Sequence, residues 1–530
     1  MAIPSWLTPS DPQAPALWTG EQQWSYDRLM AEGELLSRVF DPEDVGPRNV
    51  VGILGNHQPH AYAAIIAAHR AGVGYLPMNP VNPPQRLADM LHQANTRLVV
   101  VPEEGIAALM QLLPLLDTPM TWVCPDVAGW GASLPFSSQH RFLDRADLER
   151  APSAPPVRAP SEDALAYLMF TSGSTGRPKG VPVTFGNLTA YVDYWRHHHP
   201  IGPGDRVAQP ADLTFDLCIH PIFVTWASGA TLCPIPGVNR MAPAKFILDT
   251  RLTVWVSVPS VAVCLEKLRV LREGVFPSIR LSLFCGEPLP VRTAEAWSRA
   301  ACNGRLINLY GPTEATVSIS EYEWRGRESA AEARDGIVPI GWIFPTQRAA
   351  LRDDDGLLQQ DGPGTGELCL AGSQVTQGYL NHPEKSAHHY FTTPATGVTL
   401  WYRTGDRAQR REDGCLFFIG RVDNQIKLHG HRIELQEVDG AIRRACGHDL
   451  AVAVPWPRGE EGILGIAACV AGTDPALPER ILTTCRALLP PYMWPSRVEM
   501  LPALPMNANG KIDRAALVNH LDSLQRTPEP

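Results

Sequence analysis

Residues Tyr167 to Val181 read YLMFTSGSTGRPKGV, and their types and spacing suit the binding of a polyphosphate. The apolar run Tyr167–Phe170 predicts a buried strand. It opens into Thr171, Ser172, Gly173, Ser174, Thr175 and Gly176, followed by Arg177, Pro178, Lys179 and Gly180. Glycines let successive N–H groups turn toward an anion without steric penalty. The hydroxyls add donors, and Arg177 and Lys179 add positive charge. This is not a Walker loop, because Pro178 stands where that motif needs Gly and Gly180 where it needs Ser or Thr. The plainer alternative is a flexible Ser/Gly surface loop. Other chemically able residues follow. Read singly, Glu314 suits a helix cap, Tyr310 the core, Asp406 a turn, and Lys511 a solvated lysine after Asn-Gly.

TSGSTGRPKG resembles the phosphate loop of the adenylate-forming superfamily, which contains acyl-CoA ligases, luciferases and the adenylation domains of nonribosomal peptide synthetases. The resemblance runs along nearly the whole chain and keeps the family's order. WSYDRL (Trp24–Leu29) and GVGYLPMNP (Gly72–Pro80) come first. NLYGPTEATV (Asn308–Val317), GELCLAG (Gly366–Gly372) and YRTGD (Tyr402–Asp406) follow, then GRVDNQIKLHGHRIEL (Gly420–Leu435) and NANGKIDR (Asn507–Arg514). The wording FCGEPLP, YGPTEATV and IKLHGHRIEL is most similar to free-standing amino-acid-activating enzymes such as the D-alanine–carrier-protein ligases.

The resemblance implies roles. Thr171, Ser172, Gly173, Ser174, Thr175 and Lys179 would hold the β- and γ-phosphates of ATP. Glu314 would bind Mg²⁺, a hard ion that prefers carboxylate and water oxygens. Thr313 would touch the α-phosphate, and Tyr310, with Asn308, Gly311 and Pro312 around it, would stack on adenine. Asp406 would accept from both ribose hydroxyls, and Arg421 would contact ribose or phosphate. Lys511 would be a mobile catalytic lysine reaching the α-phosphate and the substrate carboxylate; a compact ammonium suits that bridge.

Asp216, in LTFDLCIH, reads by itself as a turn or cap residue. By resemblance it marks an amino-acid substrate, because an α-ammonium entering a closed pocket needs a paired anion. Leu217, His220, Val256, Leu283, Cys285, Leu309, Val317 and Ser318 would complete a mostly apolar wall. That wall implies a small substrate: alanine, glycine, serine or proline. His220 either turns a polar tip to the substrate or fills space. Cys285 stands where the D-alanine ligases also carry Cys, and a small buried hydrophobe is the bland account. The expected acceptor is the phosphopantetheine thiol of a separate carrier protein, with coenzyme A as the alternative. About 16 residues follow Arg514, too few for a carrier domain. Asp522-Ser523-Leu524 lacks the Gly-Gly of a phosphopantetheine attachment site.

These residues need a large scaffold. At 530 residues the chain exceeds one compact core, so two or more domains are expected. Apolar runs Val50–Leu54, Leu98–Val101 and Leu281–Phe284 alternate with helical patterns at Ala61–Arg70 and Val261–Leu271, the signature of strand–helix units and mostly parallel sheets. APSAPPVRAP (Ala151–Pro160) predicts an extended connector, and Asp353–Gly364 a turn region. The resemblance divides the chain into a large α/β domain, 1–422, and a small mobile α+β lid, 423–530, hinged at Asp423. A net charge of −9 disfavours nucleic-acid partners. Met1–Leu7 lacks a basic start and an apolar core, no 20-residue apolar run occurs, and the 11 cysteines form no CxxC. A cytoplasmic enzyme is expected. The run His197–His199 closes a predicted helix (Asn187–His197) as a solvated C-terminus; neighbouring helical side chains diverge too far to share one metal.

Overall fold

A computed structural model describes residues 2–20, 22–40, 45–130, 136, 138–157, 159–173, 178–237, 242–393, 399–423, 425–459, 462–506 and 512–526. The chain forms two compact units. One comprises Met1–Pro80, Ala88–Met169 and Gly180–Val422. The other comprises Asp423–Pro530 together with Val81–Leu87 and Phe170–Lys179, two short segments that the sequence reading leaves in the large domain.

Among the described residues the first unit carries three sheets. In a seven-stranded sheet, Val50–Leu54 and Gly74–Met78 lie parallel at the centre, with Leu165–Thr171 and Lys179–Thr184 completing one side. Both central strands are wholly buried, which is why they read as continuous apolar runs rather than alternating ones. A nine-stranded sheet has a parallel centre: Arg206–Gln209, Val254–Ser257, Leu281–Phe284 and Arg305–Tyr310. Its margin turns antiparallel at Ser320–Glu323. The third sheet has six strands, built around the antiparallel pair Gly364–Gly372 and Trp401–Arg410. A mostly parallel α/β body is therefore correct for two sheets, and the third departs from it. Part of the expected turn region forms a hairpin, Leu358–Gln359 against Leu351 and Arg352.

The helix Phe185–His198 shows how local sequence sets an element. Thr184 accepts from the Asn187 N–H while the Asn187 side chain accepts from the Thr184 N–H, a reciprocal cap worth about 1 kcal/mol. Leu188, Tyr191, Val192 and Trp195 recur at helical spacing and are all buried. Its C-terminus corrects one expectation. His197 and His198 bond back to the carbonyls of Asp193 and Tyr194, but His199 is buried and pairs with Glu321 at 2.8 Å. The helix expected over Val261–Leu271 runs from Pro259 to Lys267, because Arg269 takes a left-handed φ of 56° and breaks it.

In the second unit the strands Ala451–Pro455, Ile466–Ala471 and Arg497–Leu501 form a sheet. The amphipathic helix Leu435–Cys446 buries Leu435, Val438, Ala441 and Ile442 and ends at Gly447, φ 80°. Asp522, in the helix Arg514–Arg526, accepts from the Trp456 indole at 3.0 Å, a structural role for the Asp-Ser-Leu echo. Among the described residues no helix is long and apolar enough to cross a membrane.

Candidate active site

The nine-stranded sheet sorts its side chains by parity. Val256, Leu283, Ile307 and Leu309 fall on one face, in one core with Tyr191 and Leu217. Trp255, Phe284 and Leu306 fall on the other. Cys285 continues the first face just beyond its strand, with its thiol 4.0 Å from the Val317 carbonyl. Asp216 and Leu217 begin a one-turn helix, Asp216–Cys218, and both are buried. His220 follows in a wide π turn, His220–Val224. The apolar members expected of the pocket thus share one core cluster, with Asp216, His220 and Ser318 as its buried polar members.

His220 is fully buried, and its Nδ1 lies 2.9 Å from the Tyr191 hydroxyl. Burial, helped by the charge of His199, pulls its pKa down to about 3, so the ring is neutral at physiological pH. Burial also pushes the Tyr167 and Tyr191 hydroxyls well above the usual tyrosine range, with the Asp216 charge adding to both.

Beside this pocket, the strand Arg305–Tyr310 ends in a tight loop. A Cβ on Gly311 would lie 2.5 Å from the Ser318 Cα and 2.8 Å from the Val317 carbonyl oxygen, so only glycine fits. Thr313–Ala315 makes one 3₁₀ turn, after which Thr316 and Val317 both take left-handed φ, 57° and 70°. Two consecutive non-glycine residues in that region persist only where the surroundings over-determine them. The surroundings here are the segment 374–379. Thr316 donates to the Gln374 carbonyl at 2.6 Å, and the Gln374 amide donates to the Ser318 carbonyl at 2.8 Å. The Tyr379 hydroxyl donates to the fully buried Glu314 carboxylate at 2.7 Å.

The Tyr310 hydroxyl donates to Oδ2 of Asp406 at 2.6 Å, and Arg421 donates to Oδ1 at 2.6 Å. Asp406 and Arg421 are direct partners across adjacent antiparallel strands. Asn308 donates from its side chain to the Pro339 carbonyl. Tyr310, Asp406 and Arg421 therefore form one hydrogen-bonded group, in which each carboxylate oxygen already accepts one bond and keeps a second lone pair.

In the second unit, Thr171 ends its strand with a buried hydroxyl that meets no partner among the described residues. The Ser172 hydroxyl donates to the Arg432 carbonyl at 2.7 Å and accepts from the Glu434 N–H at 3.1 Å. The Gly173 N–H donates to the Glu437 carboxylate at 3.1 Å. Glu437 also pairs with Arg86, both buried. Two groups expected to face phosphates are thus engaged by 432–437. Lys179 is buried at the start of its strand. Ser174, Thr175 and Lys511 lie outside the described residues.

Among the described residues no three His, Cys, Asp or Glu side chains converge as a metal cluster. Mg²⁺ needs none, since it keeps waters and phosphate oxygens and takes one or two carboxylates. Glu314 supplies such a carboxylate, so the residues present fit that ion. Tyr191 and Tyr379 escaped the sequence reading. For Tyr191 the available signal was a tyrosine on an apolar helical face, whose buried hydroxyl must find a partner, whereas Tyr379 lies in a loop that carries no such pattern.

The AMP-binding enzyme family matches residues 8–380. D-alanine–D-alanyl carrier protein ligase of Bacillus licheniformis is 30% identical over 519 residues, covering 96% of each chain. Tyrocidine synthase 3 of Brevibacillus parabrevis is 30% identical over 515 residues; the match takes 96% of this chain but only 7% of that protein. The crystal structure of the Vibrio cholerae adenylation domain AlmE in complex with glycyl-adenosine-5'-phosphate superimposes with a TM-score of 0.89 at 31% identity, covering 98% and 97% of the two chains.

Proposed function

Because the chain belongs to the AMP-binding enzyme family of adenylate-forming ligases, we propose that it activates a small amino acid with ATP and transfers it to the phosphopantetheine thiol of a separate carrier protein. The observation that carries this reading is the buried carboxylate of Asp216, next to Leu217 of the core cluster that holds the apolar residues expected of the pocket. A carboxylate there suits an α-ammonium, a group that amino acids carry and fatty or aromatic acids lack. The name of the D-alanine ligase and the glycyl adenylate in the AlmE complex support a small substrate.

In this mechanism the substrate carboxylate attacks the α-phosphate of ATP, giving aminoacyl-AMP and pyrophosphate. Catalysis consists mainly of positioning and charge neutralisation. Asp216 anchors the ammonium and so aims the carboxylate. Asp406, held by Tyr310 and Arg421, accepts from the ribose hydroxyls, and Tyr310 offers its ring to adenine. Thr171–Thr175 and Lys179 hold the outer phosphates, Thr313 donates to the α-phosphate, and Lys511 bridges that phosphate and the attacking carboxylate. Mg²⁺ held at Glu314 would neutralise phosphate charge. The segment from Asp423 onward moves about that residue between adenylation and thiolation, presenting Lys511 in the first step only.

The test is ATP–pyrophosphate exchange against the common amino acids, glycine and D-alanine, with fatty and aromatic acids alongside. Exchange strongest with glycine, alanine, serine or proline is expected. Exchange only with fatty or aromatic acids would replace the proposal with an acyl- or aryl-CoA ligase of the same fold.

A further inference from the structure

Tyr191 stands outside the pocket set legible in the sequence, yet its hydroxyl meets that set from behind. It lies 2.9 Å from Nδ1 of His220 and 3.4 Å from Oγ of Ser318. It is also near enough to Cys285 and Asp216 for their charges to act on it. The side chain is wholly buried. Trp195, one turn further along the same helix, sets its ring edge-on to His220 with centroids 4.5 Å apart. One helix face therefore fixes the histidine from two sides.

The direction of the bonds follows from what is left unsatisfied. Neutral His220 carries a single N–H, and its Nε2 is buried with no partner among the described residues. A proton on Nε2 would leave an orphaned donor, the costlier defect. The proton therefore sits on Nδ1 and is donated to the Tyr191 oxygen. Tyr191 in turn donates to Ser318, leaving the Ser318 hydroxyl proton free to turn to a pocket occupant.

We infer that Tyr191 is a specificity-determining positioning residue: its hydroxyl ties His220 and Ser318 into the floor of the amino-acid pocket and so sets the depth of side chain the site accepts. The inference rests on the proposed reading of that pocket as an amino-acid site. Tyr191 touches the pocket's lining residues, and its effect passes through them.

The experiment measures amino-acid-dependent exchange for the wild type, Tyr191→Phe and Tyr191→Ala, with KM for ATP and thermal unfolding followed for each. Tyr191→Phe keeps the ring and removes the tie. It should raise KM for the preferred amino acid about 5- to 100-fold with KM for ATP unchanged. Tyr191→Ala deepens the floor. It should shift the kcat/KM ratio of leucine or methionine over the preferred substrate by about tenfold or more. The Tyr191→Phe effect should shrink in a Ser318→Ala background, which has already lost one of the two links, and the His220 link should account for what remains. If Tyr191→Ala does not fold, Tyr191→Phe and the double variant decide. Unchanged KM and unchanged substrate ratios in folded variants would overturn the inference alone. A wild type that activates no amino acid would overturn both the functional reading and the inference.

Discussion

Two buried side chains govern what happens at the residue scale. Asp216 is buried beside Leu217 of the apolar core, and the proposed function pairs it with the substrate's α-ammonium. Removing one member of a buried ion pair costs about 3–5 kcal/mol, or roughly two to four orders of magnitude in affinity. Asp216→Ala should therefore lose most amino-acid-dependent exchange while ATP binding persists, and unchanged KM for the best amino acid would remove Asp216 from the site. His69 makes a different prediction. Its Nδ1 accepts from the Trp6 indole at 3.0 Å and its Nε2 donates to the Ala166 carbonyl at 2.9 Å, an arrangement only the neutral ring can keep. Burial lowers its pKa to about 4. The unfolded chain, with an ordinary histidine pKa near 6.5, binds the proton first as pH falls. The stabilisation is thus complete above about pH 6.5 and is lost as pH drops toward 4. Thermal unfolding against pH should show that slope, and His69→Gln should flatten it. An identical slope in the variant would assign the acid sensitivity to other groups.

At the scale of elements, the decisive feature is the loop joining Arg305–Tyr310 to Ser320–Glu323. It carries the proposed adenine, α-phosphate and magnesium residues on one side, and Val317 and Ser318 on the other. Gly311 lets its two arms touch, and the obstacle to any side chain there is backbone rather than a flexible tip. Gly311→Ala must push the arms apart, at about 1–3 kcal/mol. Because the two arms are proposed to serve ATP and amino acid respectively, the variant should raise KM for both substrates together, and a change in only one would separate the two subsites. Tyr379 belongs to the same bracing through its bond to Glu314, although sequence distance hides that connection.

For the whole molecule, the proposal requires two half-reactions served by one chain. In that proposal Lys511 acts only in the first. Losing one preorganised donor to a developing negative charge commonly costs ~10²–10³ in rate. Lys511→Ala should cripple aminoacyl-AMP formation yet leave transfer to carrier largely intact when pre-made adenylate is supplied. Equal slowing of both steps would mean that the lysine does not leave the site between them.

The sequence alone determined the class of protein and most of the local architecture. Motif order along the chain pointed to the adenylate-forming family. Apolar runs of strand length and helical periodicity located the parallel strands and their helices, because burial on both faces leaves its mark in composition. Helix ends shifted where a backbone torsion intervened, as at Arg269. The expected apolar pocket members came from the family resemblance, and the fold places Val256, Leu283 and Leu309 on one face of their sheet, as strand alternation requires. Tertiary structure decided the polar partnerships. The bond from Tyr191 to His220 spans 29 residues, that from Tyr379 to Glu314 spans 65, and that from Tyr310 to Asp406 spans 96. It also buried His199 against Glu321, 122 residues away, where the sequence suggested a solvated helix end. Hydrogen bonds between distant side chains leave no periodicity in a chain: each depends on where two separate elements meet, and only the packed fold specifies that.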